Sequence, residues 1–188
     1  MSDSGGFLGL NVALIGLSGA GKTTVAPLAA ARLGFPWQDL DAEIARVSGR
    51  SVASFFDAGE EASFRELEAR VLEQALAGKR PGVVLACGGG LVTAPATRAL
   101  LRARAFVVWL RVSPERALTR LGREGIAERP LLAGAAEGQA PGALTSLLRD
   151  RAPLYEAAAD AVIDTEALAP EEVAERVAAL CRPDPTWP

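Results

Sequence analysis

The chain has 188 residues, enough for one hydrophobic core and too few for two full-sized domains. Its composition, 49% hydrophobic and 23% charged with no apolar run near the roughly 20 residues of a membrane helix, is that of a globular protein without a membrane span. Histidine is absent and the net charge is −3, which excludes Ser-His-Asp and Cys-His catalysis and histidine-bound metals, and offers no basic face to a nucleic acid.

In chain order, residues 1–9 carry no Lys or Arg and only a short apolar patch, so they lack the pattern of a secretion signal and a cytoplasmic protein is expected. An apolar run at 11–15 reads as a strand and 22–33 as a helix, with Pro27 predicting a local kink because it cannot bond the Thr23 carbonyl. A second strand is predicted at 35–39, followed by helices at 41–47, 52–58 and 60–77. A third strand at 83–87 precedes a helix at 94–102, and a fourth at 106–111 precedes a helix at 114–121. The stretch 122–142, rich in Gly, Ala and charge, reads as a long mobile loop, either a lid or a disordered connection. A helix at 143–151, a fifth strand at 161–164 and a helix at 170–181 complete the chain, and residues 1–6 and 183–188 read as frayed ends. Strands alternating with helices predict an α/β fold, one parallel sheet covered on both faces within a single domain. Cys87 and Cys181 are too few for a disulfide framework or a four-cysteine zinc site, and read as reduced buried thiols.

The segment Gly16-Leu17-Ser18-Gly19-Ala20-Gly21-Lys22-Thr23 matches G-x-x-x-x-G-K-[ST] between a strand and a helix. Glycines let successive N–H groups turn inward as an anion cradle, and the following helix adds its own N-terminal donors. Lys22, one of only two lysines in the chain, is expected on the β and γ phosphates of a nucleoside triphosphate, and the Thr23 hydroxyl on Mg²⁺.

Other residues bear on what receives the phosphate. Asp39 and Asp41 end the second strand, at the carboxyl edge of the sheet where the phosphate loop also opens. One can face Mg²⁺ and its waters while the other accepts a proton from an acceptor hydroxyl; alternatively this is a solvated strand end with Asp41 capping the next helix. Arg65 and Glu68, at i,i+3 in Phe64-Arg65-Glu66-Leu67-Glu68, either aim a guanidinium at a carboxylate substrate or form a surface ion pair, the commoner case for this spacing. Gly88-Gly89-Gly90 either admits a ligand close to the strand end or makes a tight turn.

The ordered set formed by the phosphate loop, Asp39-x-Asp41, Phe64-Arg65-x-x-Glu68, Gly88-Gly89-Gly90, Arg129-Pro130-Leu131-Leu132 and Arg151-x-Pro153-Leu154-Tyr155 resembles shikimate kinase from residue 12 to about 181. The resemblance implies a P-loop kinase with a five-stranded parallel sheet, a substrate-binding region at about 40–77 and a lid at about 122–142. The implied reaction is phosphorylation of the shikimate 3-hydroxyl by Mg-ATP, in aromatic amino-acid biosynthesis, by a monomer with no nucleic-acid or membrane partner. Position by position, it implies Asp41 as base and holder of the substrate hydroxyls, Asp39 on Mg²⁺ through water, and Arg65 with Arg151 as clamps on the substrate carboxylate. Gly88, Gly89 and Gly90 are implied beside the substrate, with Phe56 and Phe64 as apolar walls. Gly19, Ala20, Gly21, Lys22, Thr23 and Thr24 are implied around the ATP phosphates, Arg120 and Pro170 beside the adenine, and Arg129 as the lid cation on the transferring phosphate. Leu40 and Ser63 are departures that carry no evident chemistry, and the lid is unusually rich in Ala and Gly. A gluconate kinase would share the phosphate loop but has no need of Arg65 with Arg151, and a kinase-like sensor domain would be expected to have lost Asp41 or the lid arginine.

Overall fold

The first strand, β1 (Asn11–Ile15), is buried along its whole length and lies at the centre of a five-stranded sheet. The computed structural model describes residues 10–77, 82–127 and 140–181. The other strands are β2 (Trp37–Asp39), β3 (Val84–Ala86), β4 (Ala105–Arg111) and β5 (Ala161–Asp164). All pairings are parallel, in the order β2-β3-β1-β4-β5, with Val12 opposite both Val84 and Phe106. Strands covered on both faces are expected to be apolar, as β3 and β1 beyond Asn11 are, whereas the edge strands β2 and β5 leave Trp37 and Val162 exposed.

Side chains alternate across the sheet and build two cores. Val12, Leu14, Val108 and Leu110 pack on α1 (Lys22–Leu33) and α8 (Pro170–Leu180). Ala13, Ile15, Leu85 and Trp109 pack on the opposite layer, with Ile44, Leu72, Leu101 and Tyr155. That layer contains α2 (Leu40–Ser48), α3 (Val52–Asp57), α4 (Glu61–Leu76) and α5 (Pro95–Arg104). At the amino end of the sheet Asn11 joins three elements. Its Nδ2 donates to the carbonyls of Leu76 and Arg104, and its Oδ1 accepts from the Val83 N–H.

Helix α1 continues past Pro27 to Leu33, with Gly34 as its cap and Val25, Ala26, Ala29 and Ala30 in the core. Two helices are longer than expected. Helices α6 (Pro114–Ala127) and α7 (Ala140–Ala158) both extend into the stretch read as a loop. Gly122 interrupts α6 at φ 62°, ψ −174°, a conformation essentially confined to glycine, and the helix resumes beyond it. Pro141 lies in the first turn of α7, where a missing N–H costs nothing, and Pro153 is carried inside the helix because Tyr155 and Ala158 beyond it are buried. Of the expected lid, 123–127 and 140–142 are therefore helical, and 128–139, with Arg129, lies outside the described residues. Among the described residues no helix is long and apolar enough to cross a membrane.

Candidate active site

The loop from Gly16 to Gly21 curls between β1 and α1. Gly19 has φ 83°, and a Cβ there would stand 2.5 Å from the Ala117 carbonyl oxygen, so its bare side is required by the backbone of α6 as well as by the turn. Lys22 is 8% exposed, and its Nζ donates to the carbonyls of Gly16 and Leu17, both at 2.8 Å. The ammonium is thus already held over the loop.

A cleft of about 590 Å³ opens from this loop. Gly19, Ala20, Gly21, Lys22, Thr23 and Thr24 form one wall, and Arg120 and Pro170 stand on the other, where the resemblance placed the base of the nucleotide. The Arg120 guanidinium is fixed by Thr165, donating to its Oγ1 at 3.0 Å and to its carbonyl. Thr165 and Arg116 also line the cleft and were not anticipated. Their placement depends on β5 and α6 meeting in space, which no local motif announces.

A second cleft of about 310 Å³ lies on the other side of Lys22 and Thr23, which line both. Asp39 and Asp41 reach it from the end of β2 and the first turn of α2, Phe56 from α3, and Phe64 and Arg65 from α4. Gly88, Gly89 and Gly90 follow β3, and Arg151 comes from α7. The two aspartates divide their roles differently from the capping alternative raised above. Asp39 is the cap of α2, its Oδ1 accepting from the N–H groups of Asp41 and Ala42 at 3.0 and 3.2 Å, and its Oδ2 accepts from the Thr23 hydroxyl at 2.7 Å. The Asp41 carboxylate is left to approach Gly88, where a Cβ would stand 2.8 Å from Oδ1.

Arg65 Nη1 donates to Glu68 Oε2 at 2.8 Å, while Nη2 meets the exposed Glu61 at 3.3 Å. This is no surface pair, since Glu68 is only 2% exposed and lines the cleft. Burial pushes the Glu68 carboxyl above the usual carboxylate range, opposed by Arg65 and reinforced by the neighbouring Asp41. The i,i+3 spacing announced the pair but not its burial. A Cβ on Gly90 would lie 2.7 Å from Arg65 Nη2, so Gly88 and Gly90 make room for Asp41 and Arg65 themselves. Arg151 Nη1 donates to the Gly89 carbonyl at 3.2 Å. The Phe56 and Phe64 rings meet at 5.4 Å, completing the apolar wall. Cys87, behind the glycines, is buried and its thiol pushed up well out of the reactive range.

The result is a phosphate cradle joined to a small pocket bearing carboxylates, two arginines and an aromatic wall. A family model described as shikimate kinase matches residues 18–182. A shikimate kinase of Geobacter sulfurreducens is 42% identical over 174 residues, covering 93% of this chain and 92% of that protein. One from Thermobifida fusca is 43% identical over 165 residues, covering 88% and 91%. The solved shikimate kinase of Acinetobacter baumannii, in complex with shikimate, superposes with a TM-score of 0.83 at 35% identity, covering 92% of each chain. With fold, motif order and sequence in agreement over nearly its whole length, this chain belongs to the shikimate kinase family.

Proposed function

We propose that the chain transfers the γ-phosphoryl group of ATP to the 3-hydroxyl of shikimate, giving shikimate 3-phosphate and ADP. The observation that carries this reading is the shared wall: Lys22 and Thr23 line both clefts, so a nucleotide in one and a polyhydroxy acid in the other would meet at the lysine. In that reading Asp41 takes the proton of the acceptor hydroxyl as its oxygen bonds to the γ-phosphorus and the bond to the β,γ-bridging oxygen breaks, with ADP leaving. Lys22 moves from its two loop carbonyls to the phosphates, where its charge offsets that on the transferring group. Arg65 and Arg151 take the carboxylate, for which a planar fork is suited, with Phe56 and Phe64 against the ring of the acid. Arg120 and Pro170 flank the adenine, and Arg129 is assigned to the transferring phosphate on its sequence motif alone.

Thr23 and Asp39 fit a Mg²⁺ ion. Their oxygens are hard donors already paired at 2.7 Å, a small donor set of the kind used by an ion that keeps its waters and leans on phosphate. Thr23 would hold it directly and Asp39 through water; when bound, it neutralises charge on the β and γ phosphates. The whole chain acts as one domain and one monomer, with 40–77 as the acceptor-binding region.

The test is mass spectrometry after mixing the protein with Mg-ATP and, separately, shikimate, gluconate or no acceptor. A phosphorylated product with shikimate alone is expected. ATP binding without product in any mixture would refute the reading and favour a sensor.

A further inference from the structure

Tyr155 is fully buried one helical turn beyond Arg151, on the same face of α7. Both side chains end on one atom, the Gly89 carbonyl oxygen. The Tyr155 hydroxyl donates to it at 2.6 Å and Arg151 Nη1 at 3.2 Å, so the phenol is the closer partner. The other edge of Gly89 faces the phosphate loop, where a Cβ would stand 3.5 Å from the Gly16 oxygen and from the Ser18 nitrogen. The Tyr155 ring stacks on Trp109 at 5.6 Å, and Trp109 in turn borders Gly16. Tyr155 is therefore tied to the glycine turn of the acceptor cleft and, through Trp109, to the root of the nucleotide loop.

We propose that Tyr155 is a positioning residue: its hydroxyl holds the Gly88–Gly90 turn against the phosphate loop, so that Arg151 can exchange the Gly89 carbonyl for a substrate carboxylate without the turn moving. The inference rests on the acceptor assigned above. Without the phenol, Arg151 is the remaining side-chain donor to the Gly89 carbonyl among the described residues, and the acid must compete with that carbonyl for the arginine. The hydroxyl is a dependable donor, because burial pushes the phenol up to about 12 against the pull of Arg151.

The experiment is Tyr155→Phe, which removes the donor and keeps the ring, with steady-state kinetics in both substrates. The KM for shikimate should rise about tenfold, as expected when a partly buried carbonyl loses its closer partner. The KM for ATP should stay within about twofold. A shikimate KM unchanged from wild type, or both KM values rising together with loss of active protein, overturns the proposal. Tyr155 is the single tyrosine of the chain, so 3-fluorotyrosine incorporation labels this site alone and retains the hydroxyl. That protein should keep the wild-type KM for shikimate, and its fluorine resonance should shift when shikimate is added without nucleotide; an unmoved resonance counts against the proposal even if the Phe variant fails to fold. Wild type unable to phosphorylate shikimate overturns both readings, whereas an active wild type with an unaltered variant overturns only this one.

Discussion

Replacing Gly90 by alanine isolates one spatial argument, because the residue sits at φ −96°, ψ −5°, where alanine carries no backbone penalty. What changes is the added methyl, placed 2.7 Å from Arg65 Nη2 and 2.9 Å from Nη1. To restore a contact of 3.4 Å the guanidinium must retreat by about 0.7 Å. If Glu68 stays fixed, its 2.8 Å bond from Nη1 stretches beyond useful range, and if Arg65 swings outward towards Glu61, the fork leaves the cleft. Either path weakens one charge-assisted hydrogen bond, worth about 1.5–3 kcal/mol, so the KM for shikimate should rise about 10- to 100-fold. The KM for ATP should be unaffected, since Gly90 does not border the nucleotide cleft. A coupled assay of ADP release, varying each substrate in turn, measures both. A Gly90→Ala enzyme with a wild-type KM for shikimate would refute the reasoning, showing that Arg65 yields at no cost.

Three further outcomes follow from the geometry. Asp41→Asn keeps the shape of the site but removes the proton acceptor proposed above, so kcat should fall about 10²- to 10⁴-fold with nucleotide affinity retained by calorimetry; full turnover would remove Asp41 from its role. Asn11→Leu leaves the Leu76 and Arg104 carbonyls and the Val83 N–H without their side-chain partner, and should cost about 2–4 kcal/mol in urea unfolding, a loss below about 0.5 kcal/mol being incompatible with the join described. Glu68 has a folded-state pKa raised above the ordinary 4.5, so between those values the native state retains a proton that the unfolded chain has released. Its contribution to stability is present below 4.5 and lost as pH rises through the raised value; Glu68→Gln should lack this slope, and a wild-type-minus-variant stability difference flat with pH would contradict it.

What was readable in the sequence was local. The bounds of β1, α1 and β5 were anticipated because continuous apolar runs and Gly34 at φ 69° mark them within a few residues. Helices α6 and α7 were cut short because Gly122, Pro141, Gly142 and Pro153 carry loop signals, yet the helix resumes beyond Gly122, Pro141 falls in a first turn that needs no N–H, and Leu144, Tyr155 and Ala158 of α7 are buried. The phosphate loop was legible for the same reason as α1, its donors being contiguous. Which aspartate caps α2 was not legible, since both lie within two residues of the helix start and only the N–H groups of Asp41 and Ala42 donating to Asp39 distinguish them. Glu68 was visible as a partner of Arg65 but not as a buried carboxylate. Tyr155 and Gly89 are 66 residues apart, and Arg120 and Thr165 are 45 apart, so those contacts exist only once the sheet order brings their elements together.

That sheet order also bears on how freely the chain can vary. Asp39, the Gly88–Gly90 turn and the Gly16–Thr23 loop lie at the carboxyl ends of β2, β3 and β1, three adjacent strands whose hydrogen-bond ladders set them side by side about 4.8 Å apart per strand. The separation of phosphate donor from acceptor is thus dictated by main-chain pairing, which is common to every sequence that forms this sheet. Volume-conserving exchanges among Val12, Leu14, Leu85 and Val108 should consequently erode melting temperature well before they alter the distance over which the phosphoryl group travels. Drift in the interior and constancy of the reaction are compatible here because they are registered in different parts of the polypeptide.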